Sequence, residues 1–261
     1  MRELVEFAVH LADLAAEQIL PRFRAGVGME NKDQSAGGYD PVTVADREAE
    51  AAIRREIRRV HPQHGILGEE HGFDAGASAY SWVIDPIDGT RSFVLGQLHW
   101  GTLIALNDGG VPVIGLMRQP YTGETFIGSP EGAELRHGAS TTRLATRAAS
   151  RLAEVTVCAT DPTMFARPGH GQAFARLAAR ARSVRFGGDC YTPCLVAGGW
   201  ADLVVEAGLK PWDVQPLIPI VQRAGGVITD WSGGPAHRAS EVIIAGNAEL
   251  HAQVVAALAW S

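Results

Sequence analysis

Asp85 and Asp88 stand three positions apart at the end of an apolar run, Trp82-Val83-Ile84, with Pro86 between them and Gly89-Thr90 directly after. A strand alternates its side chains and proline fixes one backbone angle, so two carboxylates at this spacing can be aimed at one point. Converging carboxylates repel unless a cation lies between them, and Mg²⁺ prefers oxygen ligands of this kind. Gly89 permits close backbone approach, and the amides of Gly89 and Thr90 can then receive phosphate oxygens. The stretch reads as a metal site beside a phosphate seat. Asp, Pro and Gly together are also ordinary turn residues. Two further acids weigh against stopping there. Glu69 follows Ile66-Leu67-Gly68, which puts another carboxylate at a strand end, and Asp213, in Lys210-Pro211-Trp212-Asp213, enters an apolar, helix-like run.

Strands and helices must bring these groups together. Leu4, Ala8, Leu11, Ala12, Ala15 and Ile19 recur at helical spacing, and Pro21 closes that helix. Residues 24–41 are polar and aperiodic and read as a mobile loop. Thr43-Val44-Ala45-Asp46 has the form of a capping box opening a second helix, with Ala49, Ile53, Ile57 and Val60 as its apolar positions. Past Thr90, segments 100–106 and 111–116 predict a hairpin across Asn107-Asp108-Gly109-Gly110, and 124–128 and 134–136 predict further strands of the same sheet. The polar segment 137–152 predicts a boundary, dividing the chain into 1–145 and 146–261. Beyond it, predicted strands at 155–159, 203–205, 227–229 and 242–245 alternate with predicted helices at 172–181, 190–197, 214–224 and 248–258. Such alternation argues α/β layering.

Composition excludes several classes. The 261 residues are 46% hydrophobic and 20% charged, as in an ordinary globular protein with length enough for a substantial core. The net charge of −6, without a long basic run, argues against a nucleic-acid surface. Glu3 and Glu6 interrupt the first apolar pattern, which reads against a signal peptide, and no apolar run approaches membrane-spanning length. Three cysteines, Cys158, Cys190 and Cys194, suit reduced thiols in the cytoplasm. The spacing of Cys190 and Cys194 matches no zinc-ligand pattern and predicts small buried thiols.

The set Gly68-Glu69-Glu70, Asp85-Pro86-Ile87-Asp88-Gly89-Thr90 and Trp212-Asp213, preceded by Asp40-Pro41-Val42-Thr43-Val44-Ala45-Asp46, resembles the inositol monophosphatase superfamily of Mg²⁺-dependent, lithium-sensitive phosphatases over nearly the whole chain. The resemblance implies a layered α/β/α/β/α sandwich, a homodimer, and hydrolysis of a small phosphate monoester. It implies one metal on Glu69, Asp85 and the carbonyl of Ile87, and a second on Asp85, Asp88 and Asp213. A third, weaker one near Glu69 would make two or three Mg²⁺ per site. Asp46, a helix cap on its own reading, would pair with Thr90 to activate a water. Lys32, otherwise a solvated loop lysine, would approach metal or phosphate.

Gly187-Gly188-Asp189-Cys190-Tyr191, the stretch from Val204 to Pro211, Gln119-Pro120-Tyr121-Thr122-Gly123-Glu124 and Asp88-Gly89-Thr90-Arg91-Ser92-Phe93 look most like the histidinol-phosphate phosphatase branch of that superfamily. Trp212 and Pro193 depart from the branch's pattern. The resemblance puts Arg91, Asp189 and Glu206 beside the leaving group, and two acids there suit a cationic one. Asp189 taken alone reads as an N-cap. The expected reaction is hydrolysis of L-histidinol phosphate in histidine biosynthesis. The rivals are an inositol monophosphatase, a nucleotide 3′-phosphatase, and a non-catalytic partner-binding protein on the same scaffold. Four carboxylates converging against their mutual repulsion argue against the last.

Overall fold

A computed structural model of the chain describes residues 1–25, 29–32, 41–149 and 151–259. Most of the predicted loop 24–41, Asp40 included, lies outside the described residues. Residues 29–31 within it and Pro41 at its end are not loop: β1 (Met29–Asn31) pairs antiparallel with β2 (Pro41–Thr43). Helix α1 (Arg2–Ile19) buries Ala8, Leu11, Ala15 and Ile19 along one stripe. Helix α2 (Val44–Val60) opens on the predicted capping box, the Thr43 hydroxyl accepting the Ala45 N–H at 3.1 Å and the Asp46 carboxylate accepting the Thr43 N–H at 2.8 Å.

The chain then lays down β3 (Gly65–Gly68), β4 (Gly72–Asp74), β5 (Tyr80–Asp88), the short helix α3 (Thr90–Val94), β6 (Gly101–Asp108), β7 (Val111–Gln119), β8 (Glu124–Ser129), β9 (Gly132–His137) and β10 (Ser140–Arg143). These strands form one eight-stranded sheet in the order β10-β9-β8-β7-β6-β5-β3-β4, antiparallel except where β3 meets β5. Strand β10 falls inside the polar segment predicted as a boundary. Its four residues are exposed at the sheet edge, where no apolar face is needed.

The remainder runs through β11 (Thr156–Ala159), α4 (His170–Ala178), β12 (Ser183–Phe186), α5 (Tyr191–Ala197), β13 (Leu203–Glu206), α6 (Pro211–Val214), α7 (Leu217–Arg223), β14 (Val227–Asp230), β15 (Val242–Ala245) and α8 (Ala248–Leu258). The five-stranded sheet has the order β12-β11-β13-β15-β14. The helix predicted from 214 starts at Leu217 as α7, and Val214 instead ends the short helix α6. Pro216, which cannot donate a backbone hydrogen bond, separates α6 from α7. Strand β12 carries no periodic signal, being short and largely exposed.

Helices α1 and α2 cover one face of the large sheet, α5 and α7 lie between the sheets, and α4 and α8 cover the outer face of the small one. The result is the layered α/β/α/β/α sandwich. Side-chain alternation builds its three cores. Ile104 and Leu106 of β6 face α1 and α2 while Leu103 faces the middle layer. Val204 of β13 joins that middle core, while Leu203 and Val205 join the outer one. Each such fully buried aliphatic stabilises the fold by ~1.5–3 kcal/mol. No helix among the described residues is long and apolar enough to cross a membrane.

Helix α7 sits directly on strand backbone. A Cβ at Gly115 would lie 1.9 Å from the Pro216 carbonyl oxygen, and one at Gly128 would lie 2.2 Å from the Ile220 nitrogen. Gly128→Ala should therefore lower the unfolding free energy in a urea titration by ~1–3 kcal/mol, because backbone rather than a flexible side chain must move. A loss too small to measure would show that α7 is not held this closely.

Candidate active site

Strand β5 does not end at Asp85, as the sequence suggests, but continues to Asp88. Asp85 pairs with Leu103 and Asp88 with Gly101, so the register shifts between them and the strand bulges at Pro86-Ile87. A bulge is where a central strand tolerates proline, and it re-aims the flanking side chains. The Ile87 N–H donates to Asp85 Oδ1 at 3.1 Å. Gly89 turns the chain at φ 81°, and a Cβ there would lie 2.5 Å from the His99 carbonyl oxygen. Helix α3 begins at the next residue and is anchored by Phe93, which packs edge-on against Trp100 with centroids 5.0 Å apart. The Thr90 hydroxyl donates to the Ile87 carbonyl at 3.0 Å.

Asp213 arrives from α6, its carboxylate accepting the Lys210 N–H at 2.8 Å. Carboxylate oxygens of Asp85, Asp88 and Asp213 lie within 4.8 Å of one another. Glu69 comes from the turn after β3. Lys32, placed by β1, bridges Glu69 at 2.9 Å and Glu70 at 2.5 Å.

The electrostatics follow from this crowding. Burial first, then the charges of Glu69, Asp88 and Asp213, push the Asp85 carboxyl well above the usual range. Burial and the charges of Asp213 and Asp189 do the same to Asp88, against the bond it accepts from the Cys190 N–H at 2.8 Å. Asp213 is pushed up to about 7 by burial and Glu69. Burial would lower Lys32, but its contacts with Glu70 and Glu69 outweigh it and raise it. The donor chemistry fits Mg²⁺. Several hard carboxylate oxygens converge, a cation would relieve their repulsion, and the carbonyl of Ile87 has a lone pair left beside them.

A cleft of about 440 Å³ contains Glu69, Asp85, Ile87, Asp88, Gly89, Thr90, Arg91, Asp189, Glu206 and Asp213. The structure thus brings together every predicted site residue except Asp46 and Lys32, which are not among those lining the cleft, although Lys32 pairs with Glu69. Asp46 is buried, accepts from the Thr43 N–H and from its hydroxyl at 2.6 Å, and has its carboxyl pushed up to about 6, burial outweighing those bonds. No hydrogen bond joins it to Thr90.

Asp189 does not cap α5, whose first turn carries no side-chain cap. It holds a left-handed backbone, φ 41°, and accepts the Ser92 hydroxyl at 2.9 Å. Glu206 ends β13. Its Oε1 accepts the N–H and hydroxyl of Thr160 at 3.0 and 2.9 Å, whereas its buried Oε2 has no partner among the described residues. Burial pushes this carboxyl up to about 8 despite the Thr160 bonds. Thr160 and Asp161, both lining the cleft, escaped the sequence reading. Their signal was available. They follow an apolar strand, the position that singled out Glu69 and Asp85.

This fold and this cleft define a phosphatase class, and the comparisons agree. The sequence matches the model of the inositol monophosphatase family over residues 1–261. It is 36% identical over 261 residues to the bifunctional phosphatase IMPL2, chloroplastic, of Arabidopsis thaliana, covering 96% of this chain and 73% of that one. It is 34% identical over 261 residues to the histidinol-phosphatase of Mycobacterium tuberculosis, covering 96% of each. The structure matches that of an inositol monophosphatase from Zymomonas mobilis with a TM-score of 0.85, at 36% identity over 98% of both chains. The chain belongs to the inositol monophosphatase family, a family of Mg²⁺-dependent phosphatases.

In the metal-free protein, Asp213 makes stability fall as pH rises. Its carboxyl titrates at about 7 when folded and at 3.8 in the reference state, so between those values the folded protein keeps a proton that the unfolded chain has lost. Melting curves in a chelator should therefore show Asp213→Asn gaining on wild type from about pH 4 to about pH 7, then levelling off. Adding Mg²⁺ at neutral pH should raise the wild-type melting temperature by more than the variant's, which loses one of the sites. Parallel pH profiles without metal would contradict the crowding of Asp213.

Proposed function

We propose that this chain hydrolyses the phosphate monoester of a small cationic alcohol, with L-histidinol phosphate as the favoured substrate. Glu69, Asp85, the Ile87 carbonyl, Asp88 and Asp213 would hold two or three Mg²⁺. Bound Mg²⁺ supplies electrophilic polarisation of the phosphoryl group and a more acidic water. The amides of Gly89 and Thr90, at the start of a helix where no intrahelical acceptor exists, would seat phosphate oxygens. The Thr90 proton is committed to the Ile87 carbonyl, so its oxygen is left to accept from a water and orient it. Asp46 is kept as the proton acceptor on family grounds, while in this structure its carboxylate accepts from Thr43 and makes no bond to Thr90. Segment 1–145 would then carry most of the metal ligands, and 146–261 would complete the active site with Asp213 and the leaving-group side. A homodimer remains part of this reading on family grounds.

The observation that carries the substrate is Glu206. The Glu206 oxygen without a donor, in a cleft that also holds Asp189, is costly as a buried anion, so its carboxyl is raised to about 8, and a nitrogen cation would stabilise the ionised form. Inositol offers only hydroxyls. The likeness to an inositol monophosphatase of known structure keeps inositol phosphate as the second reading. Phosphate release from histidinol phosphate, inositol 1-phosphate and glycerol phosphate, with and without Mg²⁺, separates the two. Preference of the wild type for inositol phosphate would remove the first.

Two substitutions test the roles. Asp85→Asn should abolish Mg²⁺-dependent turnover by several orders of magnitude while the fold persists. Activity within roughly tenfold of wild type at saturating Mg²⁺ would refute its place in the metal site. Asp189→Asn should lower kcat/KM for histidinol phosphate roughly ten- to a hundredfold, the loss of one charge-assisted hydrogen bond worth ~1.5–3 kcal/mol. Hydrolysis of glycerol phosphate should barely change, and equal losses on both would refute the contact.

A further inference from the structure

The turn that carries Glu69 is held by a buried pair that contributes nothing to the cleft lining. Glu50 and Arg54, one turn apart on α2, are 0% and 3% exposed and form an ion pair, Arg54 Nε to Glu50 Oε1 at 2.7 Å. Burying two charges against a helix face is costly unless their remaining hydrogen-bonding capacity is used. Here it is used on the 69–72 turn. Glu50 Oε2 accepts the Glu70 N–H at 2.7 Å, Oε1 accepts the His71 N–H at 3.1 Å, and Arg54 donates to the Gly72 carbonyl. Arg54 also reaches the Asp74 carboxylate at 3.0 Å. The Glu69 N–H itself goes to the Ile84 carbonyl of β5 at 3.2 Å, so consecutive amides of the turn are fixed from two sides. Contact is close enough that a Cβ at Gly68 would sit 2.0 Å from Glu50 Oε1.

The turn needs such a hold because Glu69 is pressed toward like charges. Its charge is among the causes raising Asp85, Asp213 and Asp46, and repulsion of the same kind acts back on Glu69. Lys32 opposes it, but from β1, outside the sheet that carries Glu69. From this arrangement we propose that Glu50, backed by Arg54, is a positioning residue that fixes the backbone of the 69–71 turn and so presents Glu69 to the metal cluster. The proposal rests on the reading of Glu69 as a metal ligand. Glu50 does not itself approach the metals. It acts through the amides of Glu70 and His71, and a glutamine there would turn an NH₂ toward a donor.

Calorimetric titration of Mg²⁺ into the full chain tests this, with Glu50→Gln and Glu69→Gln run beside wild type. Glu50→Gln should weaken Mg²⁺ binding roughly ten- to a hundredfold, the scale of losses when residues behind a metal ligand are changed. Amide exchange at Glu70 and His71 should quicken, and kcat should recover at saturating Mg²⁺. A Glu50→Gln protein that melts earlier yet binds Mg²⁺ like wild type would overturn the positioning role, provided Glu69→Gln weakens binding. Unchanged binding in Glu69→Gln would instead overturn the metal reading beneath it. Should Glu50→Gln not fold, Glu50→Asp keeps the charge and draws it back by one methylene. It must show the same weakening, and wild-type affinity in it overturns the proposal.

Discussion

Carboxylates from separated stretches of the chain are forced into one cleft, and much of the structure around them is a response to that crowding. Asp85, Asp88 and Asp213 bring oxygens within 4.8 Å of one another. At an effective dielectric constant of ~20, two full charges at that distance repel by about 3 kcal/mol. Several such pairs rival the total stability of a typical domain, ~5–15 kcal/mol. Without a cation, burial first and like-charge repulsion second raise the carboxyls of Asp85, Asp88 and Asp213 together, and protonation relieves the strain. A divalent cation removes the same repulsion while leaving the carboxylates charged. The acidic cluster could therefore hold a metal ion on electrostatic grounds as well as by ligand preference.

Backbone amides make the crowding tolerable. Asp85 accepts from Ile87, Asp88 from Cys190, Asp213 from Lys210 and Asp46 from Thr43. Each bond to a charged acceptor stabilises by ~1.5–3 kcal/mol and also fixes the direction of the carboxylate. The donors come from a bulge, two helix starts and the turn before α5. Irregular backbone is where amides are free for side chains, so the site occupies the irregular ends of regular elements. The regular parts, from the middle of β5 to the aliphatic rows of β6 and β13, supply the burial that sustains it.

The two sides of the cleft divide the chemistry. The side built by β5 and α3 offers oxygens for cations and amides for anions, and it suits any phosphate monoester. The side built by Asp189 and Glu206 is acidic, and it is the side to which the proposed function assigns the leaving group. The contact between Asp88 and the Cys190 amide joins the sides, so the residue preceding Cys190, Asp189, is positioned against the acidic cluster.

Much of this was legible in the sequence, because it depended on local rules. The capping box at Thr43 and Asp46 needs only neighbours three residues apart. The hairpin across Asn107 to Gly110, the helix from Ala248 and the acids at strand ends follow from periodicity and turn chemistry. The motifs around Asp85, Glu69 and Asp213 carried the family. What the sequence could not supply were relations between distant segments. The bulge at Pro86 depends on the register against β6, β10 and β12 on edge pairing rather than on apolar pattern, and the split at Pro216 on how the middle helices meet the sheet. Asp189 looks like a cap in one dimension and receives Ser92 in three. Glu50 looks like one more exposed helix charge, and only the fold shows it buried behind Glu69. Sequence alone determined which groups could do the chemistry, since residue type and local spacing fix that. Tertiary structure decided which of them meet and what holds them there, since burial and long-range hydrogen bonds exist only once the sheets and helices have closed around the cleft.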